Sequence, residues 1–402
     1  MTTVHLKPHK EESLLRFHPW VFSGAIRSIE LDADYPHAQP QEGEIVKVVD
    51  CKGKTLGVGH YQIGSIAVRI LEFGVGELSK DFWKTRIAAA YGVRESLGLV
   101  TEENNTYRLI HGEGDFLPGL IVDVYADTAV IQAHSVGMHY HREEIAEAIV
   151  EAVAQVDKVY YKSDDTLPHK AMIQGDRVGY LIGGDRVEDK EFWAKENGLS
   201  FRIDWLRGQK TGFFIDQRDN RALLEQYAKD KDVLNMFCYT GGFSVYALRG
   251  GAKKVHSVDV SQKAVDLVRS NVAYNFGEEA PHEAFAEEAF EFMTKNTNTY
   301  DLIILDPPAF AKHRDAVKNA LRGYQRLNAK GIQSIRPGGI LFTFSCSQAI
   351  DKDMFRLAVF SAAAQVGRKV RILHQLHQPA DHPINIYHPE GEYLKGLVLQ
   401  IE

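Results

Sequence analysis

The sequence predicts an α/β protein whose C-terminal half is an open parallel sheet, preceded by a small β-rich region and a mixed α/β middle. Three observations carry this. From Val233 onward, apolar runs of strand length alternate with segments of helical period, the pattern of a parallel sheet covered on both faces. Two of those runs, Asp301–Leu305 and Gly339–Phe344, are bounded by Pro or Gly and read as buried strands. Each leads into reactive polar chemistry, Asp306-Pro307-Pro308-Ala309-Phe310 in one case and Ser345-Cys346-Ser347 in the other. Finally, residues 4 to 74 consist of short alternating runs broken by turn residues.

Composition sets the outer bounds. A chain of 402 residues predicts two to three domains. With 44% hydrophobic and 25% charged residues it reads as globular. No apolar run reaches the roughly 18 residues needed to span a bilayer, so no membrane partner is expected. Met1–Lys10 lacks the apolar core of a signal peptide. Cys51, Cys238 and Cys346 are too few and too scattered for a disulfide framework or a cysteine-type zinc site. A reducing, cytoplasmic location follows. The net charge of −7 argues against a protein that is basic as a whole, while leaving room for a local basic face. No low-complexity segment or short-period repeat is visible.

In chain order, Gly43–Asp50, Leu56–Tyr61 and Ile66–Leu71 are expected strands, with Lys52-Gly53-Lys54 and Ile63-Gly64-Ser65 as turns. Residues 82 to 97 fit an amphipathic helix. Strands follow at Leu120–Val124 and Ala129–Ala133, then a helix from about Tyr140 to Val156 and a strand at Val159–Tyr161. Gly183-Gly184 and the charged stretch Asp185–Lys190 mark a boundary. The domain division expected is 1–74, 75–185 and 186–402. Leu199–Ile203 and Phe213–Ile215 suggest a hairpin, after which Asp216 would cap a helix through Tyr227. Strands are expected at Val233–Phe237, Val255–Val258, Leu302–Leu305 and Ile340–Phe344. Helices fit at 243–249, 261–275, 317–335 and 351–366.

Ligands of open α/β sheets lie at the carboxyl ends of the strands. The first strand of this series runs into Phe237-Cys238-Tyr239-Thr240-Gly241-Gly242-Phe243-Ser244. Glycines at a strand-to-helix turn let backbone approach a ligand closely, and they also serve plain turns. The spacing departs from Gly-x-Gly-x-x-Gly, so a diphosphate cradle is poorly matched. Asp259 ends the next strand, near the interval of roughly 20 residues at which an acidic group meets ribose hydroxyls. Asp259 or Ser261 could equally cap the following helix. Together the two motifs describe a nucleoside ligand, and S-adenosylmethionine fits better than NAD.

Asp306 and Cys346 then bring a carboxylate and a thiol to one crevice, the equipment for covalent attack on an electron-poor ring with acid assistance. Pro307 and Pro308 fix the backbone direction after the strand. Phe310 offers a stacking surface, separated from the prolines by Ala309. Cys238 is the rival nucleophile, but its place in the glycine turn favours packing beside a cofactor. Gly208–Arg218 is dense in donors and aromatics. His18, His111, His282 and His382 show no metal-ligand spacing, and no metal site is assigned.

At these residues the chain resembles the RlmI-type family of S-adenosylmethionine-dependent cytosine-C5 methyltransferases of large-subunit ribosomal RNA, over nearly its whole length. Arg16–Ile26 and Gly59-His60-Tyr61 resemble a PUA domain. Arg108–Asp115 and Leu117–Asp123 fall where the family has a central α/β domain of EEHEE type. Gln209–Arg218, Phe237–Ser244, Asp306–Phe310 and Ser345–Ser347 match its catalytic segments. The resemblance implies a Rossmann-like class I methyltransferase domain behind a PUA-like N-terminal domain. It implies that Gln209, Thr211, Phe214, Asp216 and Arg218 hold cofactor together with Phe237, Tyr239, Thr240, Gly241, Gly242 and Phe243. Asp259 would take the ribose, and Asp306 with Pro307 would face the reacting centre. Cys346 would be the nucleophile. Where such enzymes place Asp before a small residue and Phe to meet the adenine amino group, this chain has Glu288-Ala289-Phe290, whose longer carboxylate still accepts that bond.

The implied reaction is thiolate addition at cytosine C6, methyl transfer to C5, loss of the C5 proton and release of Cys346, with Asp306 serving N3. Lys7, Lys10, Arg16 and Arg27 would supply RNA affinity, and a paired target base would have to be extruded. A homodimer is compatible with this reading. Two alternatives stay open: a methyltransferase of another base or a small molecule with Cys346 structural, and a non-catalytic RNA-binding assembly factor.

Overall fold

A computed structural model describes the chain except for Asp34, Ala38 and residues 169–172, 185–190 and 312–313. The chain forms two compact units, one of residues 1–191, 204–212 and 380–391, the other of residues 192–203, 213–379 and 392–402.

The first unit holds two sheets. One has six strands, Thr3–Leu6, Trp20–Phe22, Ile26–Glu30, Ile45–Val49, Thr55–Tyr61 and Ile66–Phe73. Its core is Val4, Leu6, Val46, Val48, Val58 and Val68, all less than 1% exposed, the inward half of each alternating run. The Asp50–Lys54 turn forms because Asp50 accepts from the amides of Lys52 and Lys54 while Gly53 takes φ +86°. The second sheet runs, edge to edge, Val178–Ile182, Lys158–Lys162, Thr128–Ala133, Leu120–Tyr125 and Thr106–His111. Helices Phe82–Ser96 and Arg142–Ala152 belong to the same unit. The helix expected from Tyr140 to Val156 is thus two shorter ones, Val136–Tyr140 and Arg142–Ala152. The stretch Asp185–Lys190, read as a boundary, lies outside the described residues.

The second unit contains a seven-stranded sheet. Its order is His282–Ala286, Lys254–Asp259, Asp232–Met236, Tyr300–Leu305, Ile335–Ser345, Lys395–Ile401 and Val370–His377. Counted along the chain that is 3-2-1-4-5-7-6. The first five strands are parallel, and Lys395–Ile401 is antiparallel to both its neighbours. Val233, Leu234, Ile303, Ile304, Leu341 and Phe342 are all less than 1% exposed, as expected of strands covered on both faces. The order reverses between Asp232–Met236 and Tyr300–Leu305, which puts a ligand crevice beyond their carboxyl ends.

Two sequence expectations are corrected here. Leu199–Ile203 pairs with Phe192–Glu196, not with Phe213–Ile215. The turn between them is Asn197-Gly198, with φ +49° and +79°, the positive-φ pair that a two-residue hairpin requires. Asp216 does not cap the helix Arg218–Tyr227. It lies in a 3-10 turn, Ile215–Gln217, and accepts a 2.7 Å hydrogen bond from the Tyr393 hydroxyl. The strands His282–Ala286, Val370–His377 and Lys395–Ile401 and the helix Ala289–Lys295 went unread in the sequence.

Candidate active site

The turn after the first strand is built from alternating left-handed residues, Phe237 at φ +58°, Tyr239 at +45° and Gly241 at +77°. For Phe and Tyr this conformation costs about 1–3 kcal/mol each and persists only where the surroundings enforce it. Here they do. Asp259 at the end of the neighbouring strand accepts from the Tyr239 amide through Oδ2 at 3.1 Å. The Cys238 amide donates to the Val258 carbonyl, and Asn271 donates through Nδ2 to the Thr240 carbonyl at 2.8 Å. Gly241 must lack a side chain, because a Cβ there would sit 2.8 Å from Val268 Cγ1. Helix Gly242–Arg249 starts directly from this turn, with Gly241 as its N-cap residue.

The Asp259 Oδ1 accepts from the Ser261 amide at 3.0 Å, while the Ser261 hydroxyl accepts from the Ala264 amide. Ser261 is therefore the helix cap. Asp259 accepts one amide on each carboxylate oxygen, which leaves further lone pairs on both. Glu288 caps helix Ala289–Lys295 through Oε2, which accepts from the Phe290 and Glu291 amides. Capping leaves Oε1 outside that role. Phe214 packs edge-on against Tyr239, with centroids 5.1 Å apart, and Phe243 is buried against Phe344.

A buried ion pair holds the Phe214 segment. Arg221 donates to Glu196 Oε1 and Oε2 at 2.9 and 2.7 Å and to the Phe214 carbonyl at 2.9 Å. Tyr246 donates to Glu196 as well. Asn271 Oδ1 accepts from the Arg202 amide, so one side chain joins the 192–203 hairpin to the glycine turn. None of Glu196, Arg221 and Asn271 was singled out from sequence. Apart from the Phe214 carbonyl, 7 positions from Arg221, their partners lie 25 to 69 positions away in the chain, and no local pattern signals such a network.

On the other side of the crevice, Leu305 pairs with Thr343 across parallel strands. Asp306 therefore follows one strand end and Cys346 the adjacent one. Gln217 donates to Asp306 Oδ2 at 3.1 Å, and the Gln217 Oε1 accepts from Asn220 at 2.7 Å. Gln217 lies inside the donor-rich segment read from sequence but was not picked from it. The two strand-end loops are tied by Ser347, whose hydroxyl accepts from the Ala311 amide at 3.3 Å and bonds Tyr324 Oη at 3.0 Å. One face of Phe310 packs on Tyr324. Pro307 is buried and Cys346 partly exposed. The rival thiol differs. Burial, with the Asp259 carboxylate adding to it, pushes Cys238 well above the ordinary thiol range and keeps it protonated and poorly nucleophilic.

The Gln209–Arg218 segment divides between the units. Gln209 and Thr211 belong to the first, where the Thr211 hydroxyl donates to Asp123 Oδ2 at 2.6 Å and bonds Tyr125 Oη. Phe214, Asp216 and Arg218 belong to the second. His18, His388 and Glu390, from opposite ends of the chain, bring potential metal-ligating atoms within 4.8 Å of one another.

The second unit thus carries a strained glycine turn, three carboxylates at strand ends or the helix start next to them, and a thiol. That donor set suits a ribose diol, an amino group and a cationic sulfonium. A family model for S-adenosylmethionine-dependent methyltransferases matches residues 165–391, and one for a PUA-like domain matches residues 4–73. The ribosomal RNA large subunit methyltransferase I of Tolumonas auensis is 40% identical over 99% of both chains. That of Alteromonas mediterranea is 39% identical over 99% of this chain and 98% of its own.

The chain belongs to the ribosomal RNA large subunit methyltransferase I family.

S-adenosylmethionine is the cofactor of this family, and the residues at the crevice suit it. Two solved structures share the fold over the whole length of both chains. A SAM-dependent methyltransferase from Streptococcus mutans superposes with TM-score 0.81 at 22% identity. SMU.776, described as a methyltransferase and crystallised with SAH, gives 0.83 at 22%. The fold is the one the sequence predicted, a class I methyltransferase sheet with a PUA-like N-terminal domain. Among the described residues no helix is long and apolar enough to cross a membrane.

Proposed function

We propose that this protein methylates C5 of a cytosine in large-subunit ribosomal RNA through a covalent adduct on Cys346. The observation that carries the reading is the tie between the Asp306 and Cys346 loops through Ser347 at adjacent strand ends. It supports a carboxylate and a partly exposed thiol acting on one crevice, beside the strained turn.

S-adenosylmethionine supplies an electrophilic methyl group on its sulfonium sulfur. Asp259 accepts the ribose hydroxyls and Glu288 the adenine amino group. Phe214, which packs on Tyr239, would complete the cofactor site with Asp216, Arg218, Thr240, Gly242 and Phe243. The Cys346 thiolate bonds to C6, and the C5–C6 π pair becomes available at C5. Asp306 holds a proton at N3, which takes up the charge. Once C5 carries the methyl group, its proton leaves to a base, the electron pair re-forms the double bond, and the Cys346–C6 bond breaks. Gln217 fixes the Asp306 carboxylate for this task.

Residues 1–74 supply RNA affinity, with 75–185 as the central domain and 186–402 as the catalytic one. Lys7, Lys10, Arg16 and Arg27 are all exposed and provide phosphate contacts. The relatives' names specify large-subunit ribosomal RNA, and the protein acts in the cytoplasm.

The test is RNA carrying 5-fluorocytosine, in which fluorine blocks proton loss from C5. The wild type is expected to be trapped covalently, and Cys346→Ala to lose both trapping and methyl transfer while keeping cofactor affinity within a few fold. Full turnover by the alanine variant sinks the covalent mechanism. A product nucleoside other than 5-methylcytidine sinks the assignment of the base.

A further inference from the structure

Lys395 is 7% exposed, and its ammonium lies against the loop that carries Cys346. Its residue pairs with Ser345 across antiparallel strands, so its side chain starts level with the strand end from which Cys346 projects. The Nζ donates to the Ser347 carbonyl at 2.7 Å and to the Ile350 carbonyl. These carbonyls bracket the turn after Cys346. A cation that gives up water needs a compensating charge or several hydrogen bonds. Its two acceptors are neutral carbonyls, and no carboxylate lies within ion-pair distance of it among the described residues.

We propose that Lys395 is a positioning residue for the methyl-transfer reaction: its ammonium pins the Ser345–Ile350 turn and supplies the positive charge beside Cys346 that favours the thiolate. The inference rests on Cys346 as the nucleophile. Sequence supports the geometry. Glu392-Tyr393-Leu394-Lys395-Gly396 enters a strand antiparallel to both its neighbours, and a lysine facing a buried strand end there has no packing reason to be charged. Burial pushes the Lys395 amine down to about 8, while the neighbouring Cys346 sulfur and the Asp351 and Glu392 carboxylates hold it up. The amine therefore remains largely protonated at neutral pH. Other groups face the pair. Tyr324, on helix Val317–Ser334, is held neutral by burial. Asp351 is committed as the cap of helix Lys352–Val366, and Glu392 lies near Lys352. Asp306 follows the adjacent strand and is engaged by Gln217. Of these, only Lys395 places a buried cation at the turn.

The experiment alkylates Cys346 in the full chain with iodoacetamide from pH 5.5 to 10. The Cys346 peptide is followed by mass spectrometry, which separates it from Cys51 and Cys238. In the wild type, half-maximal rate is expected below the roughly 8.5 of an ordinary thiol. Lys395→Met should move that midpoint up by about one unit or more, and so slow alkylation near pH 7 about tenfold. Methyl transfer should fall at least as far, with S-adenosylmethionine affinity unchanged. Lys395→Arg keeps the charge and should hold the wild-type midpoint. A wild-type midpoint at or above that of an ordinary thiol overturns the proposal, even if the methionine variant does not fold. So does an unshifted midpoint in a folded methionine variant, because a purely structural clamp would cut turnover without moving the titration. Failure of the wild type to be trapped by 5-fluorocytosine RNA would instead strike at Cys346 as nucleophile, and the alkylation profile would still report on Lys395.

Discussion

Replacing Arg221 by Met should unfold the catalytic unit far more readily than its conservative volume suggests. The side chains of Arg221 and Glu196 are 3% and 0% exposed, and the pair is bidentate at 2.9 and 2.7 Å. Without the guanidinium, Glu196 keeps a Tyr246 hydroxyl donor but remains a buried charge lacking its cation. Removing one member of such a pair costs about 3–5 kcal/mol, and the orphaned Phe214 carbonyl adds about 1 kcal/mol. At roughly 2–4 °C per kcal/mol for a unit of this size, the thermal midpoint should fall by roughly 8–24 °C. Calorimetry on the full chain measures the transition, with S-adenosylmethionine titration below it. Affinity should drop too, since Phe214 packs on Tyr239. The Glu196→Met, Arg221→Met double variant removes both charges and should recover much of the loss. If the single variant melts within a degree or two of wild type, or the double variant is worse than the single, the buried pair does not hold the segment.

Asp259→Ala should weaken S-adenosylmethionine about ten- to a hundredfold in calorimetry, because hydrogen bonds to a charged group contribute roughly 1.5–3 kcal/mol; unchanged affinity would remove Asp259 from the site. Neutralising Lys7, Lys10, Arg16 and Arg27 together to Gln should flatten the dependence of log RNA affinity on log salt by up to about 0.7 per lost contact on single strands, and an unaltered slope would place the phosphate contacts elsewhere. His282 bonds Ser257 Oγ at 2.8 Å and is pushed down to about 4 by burial, with His256 and Arg269 adding to the effect. Because the unfolded chain takes up this proton first, stability should fall as pH drops from about 6.5 towards 4, by at most about 1.4 kcal/mol per unit. His282→Gln should flatten that limb of a urea-unfolding series, and an identical limb would show that His282 does not set it.

Much of the candidate site was legible because chemistry concentrates where local sequence is most constrained. Asp306 before two prolines, Cys346 between serines and Gly241-Gly242 after an apolar run are each recognisable within a handful of residues. A buried parallel strand must be apolar throughout, and a ligand-facing group can appear only at its end. What lay between was harder. The hairpin partner of Leu199–Ile203 was misassigned, although the Asn197-Gly198 turn marks it, because Phe213–Ile215 is as apolar as a strand and closer to the helix that follows. The edge strand Val370–His377 alternates mostly half-buried and exposed residues, so its apolar signal is weak.

By itself, the sequence determined the strand ends, the glycine turn, the candidate nucleophile and the β-rich N-terminal region, since each depends on residue type within one short segment. Tertiary structure decided which groups meet. It assigned helix capping to Ser261 and left Asp259 to brace the Tyr239 turn. It set Arg221 on Glu196, joined the Asp306 and Cys346 loops through Ser347 and buried Lys395 at the same turn. Those partners are distant in the chain, and burial and hydrogen-bond satisfaction are properties of the packed sheet that no single segment contains.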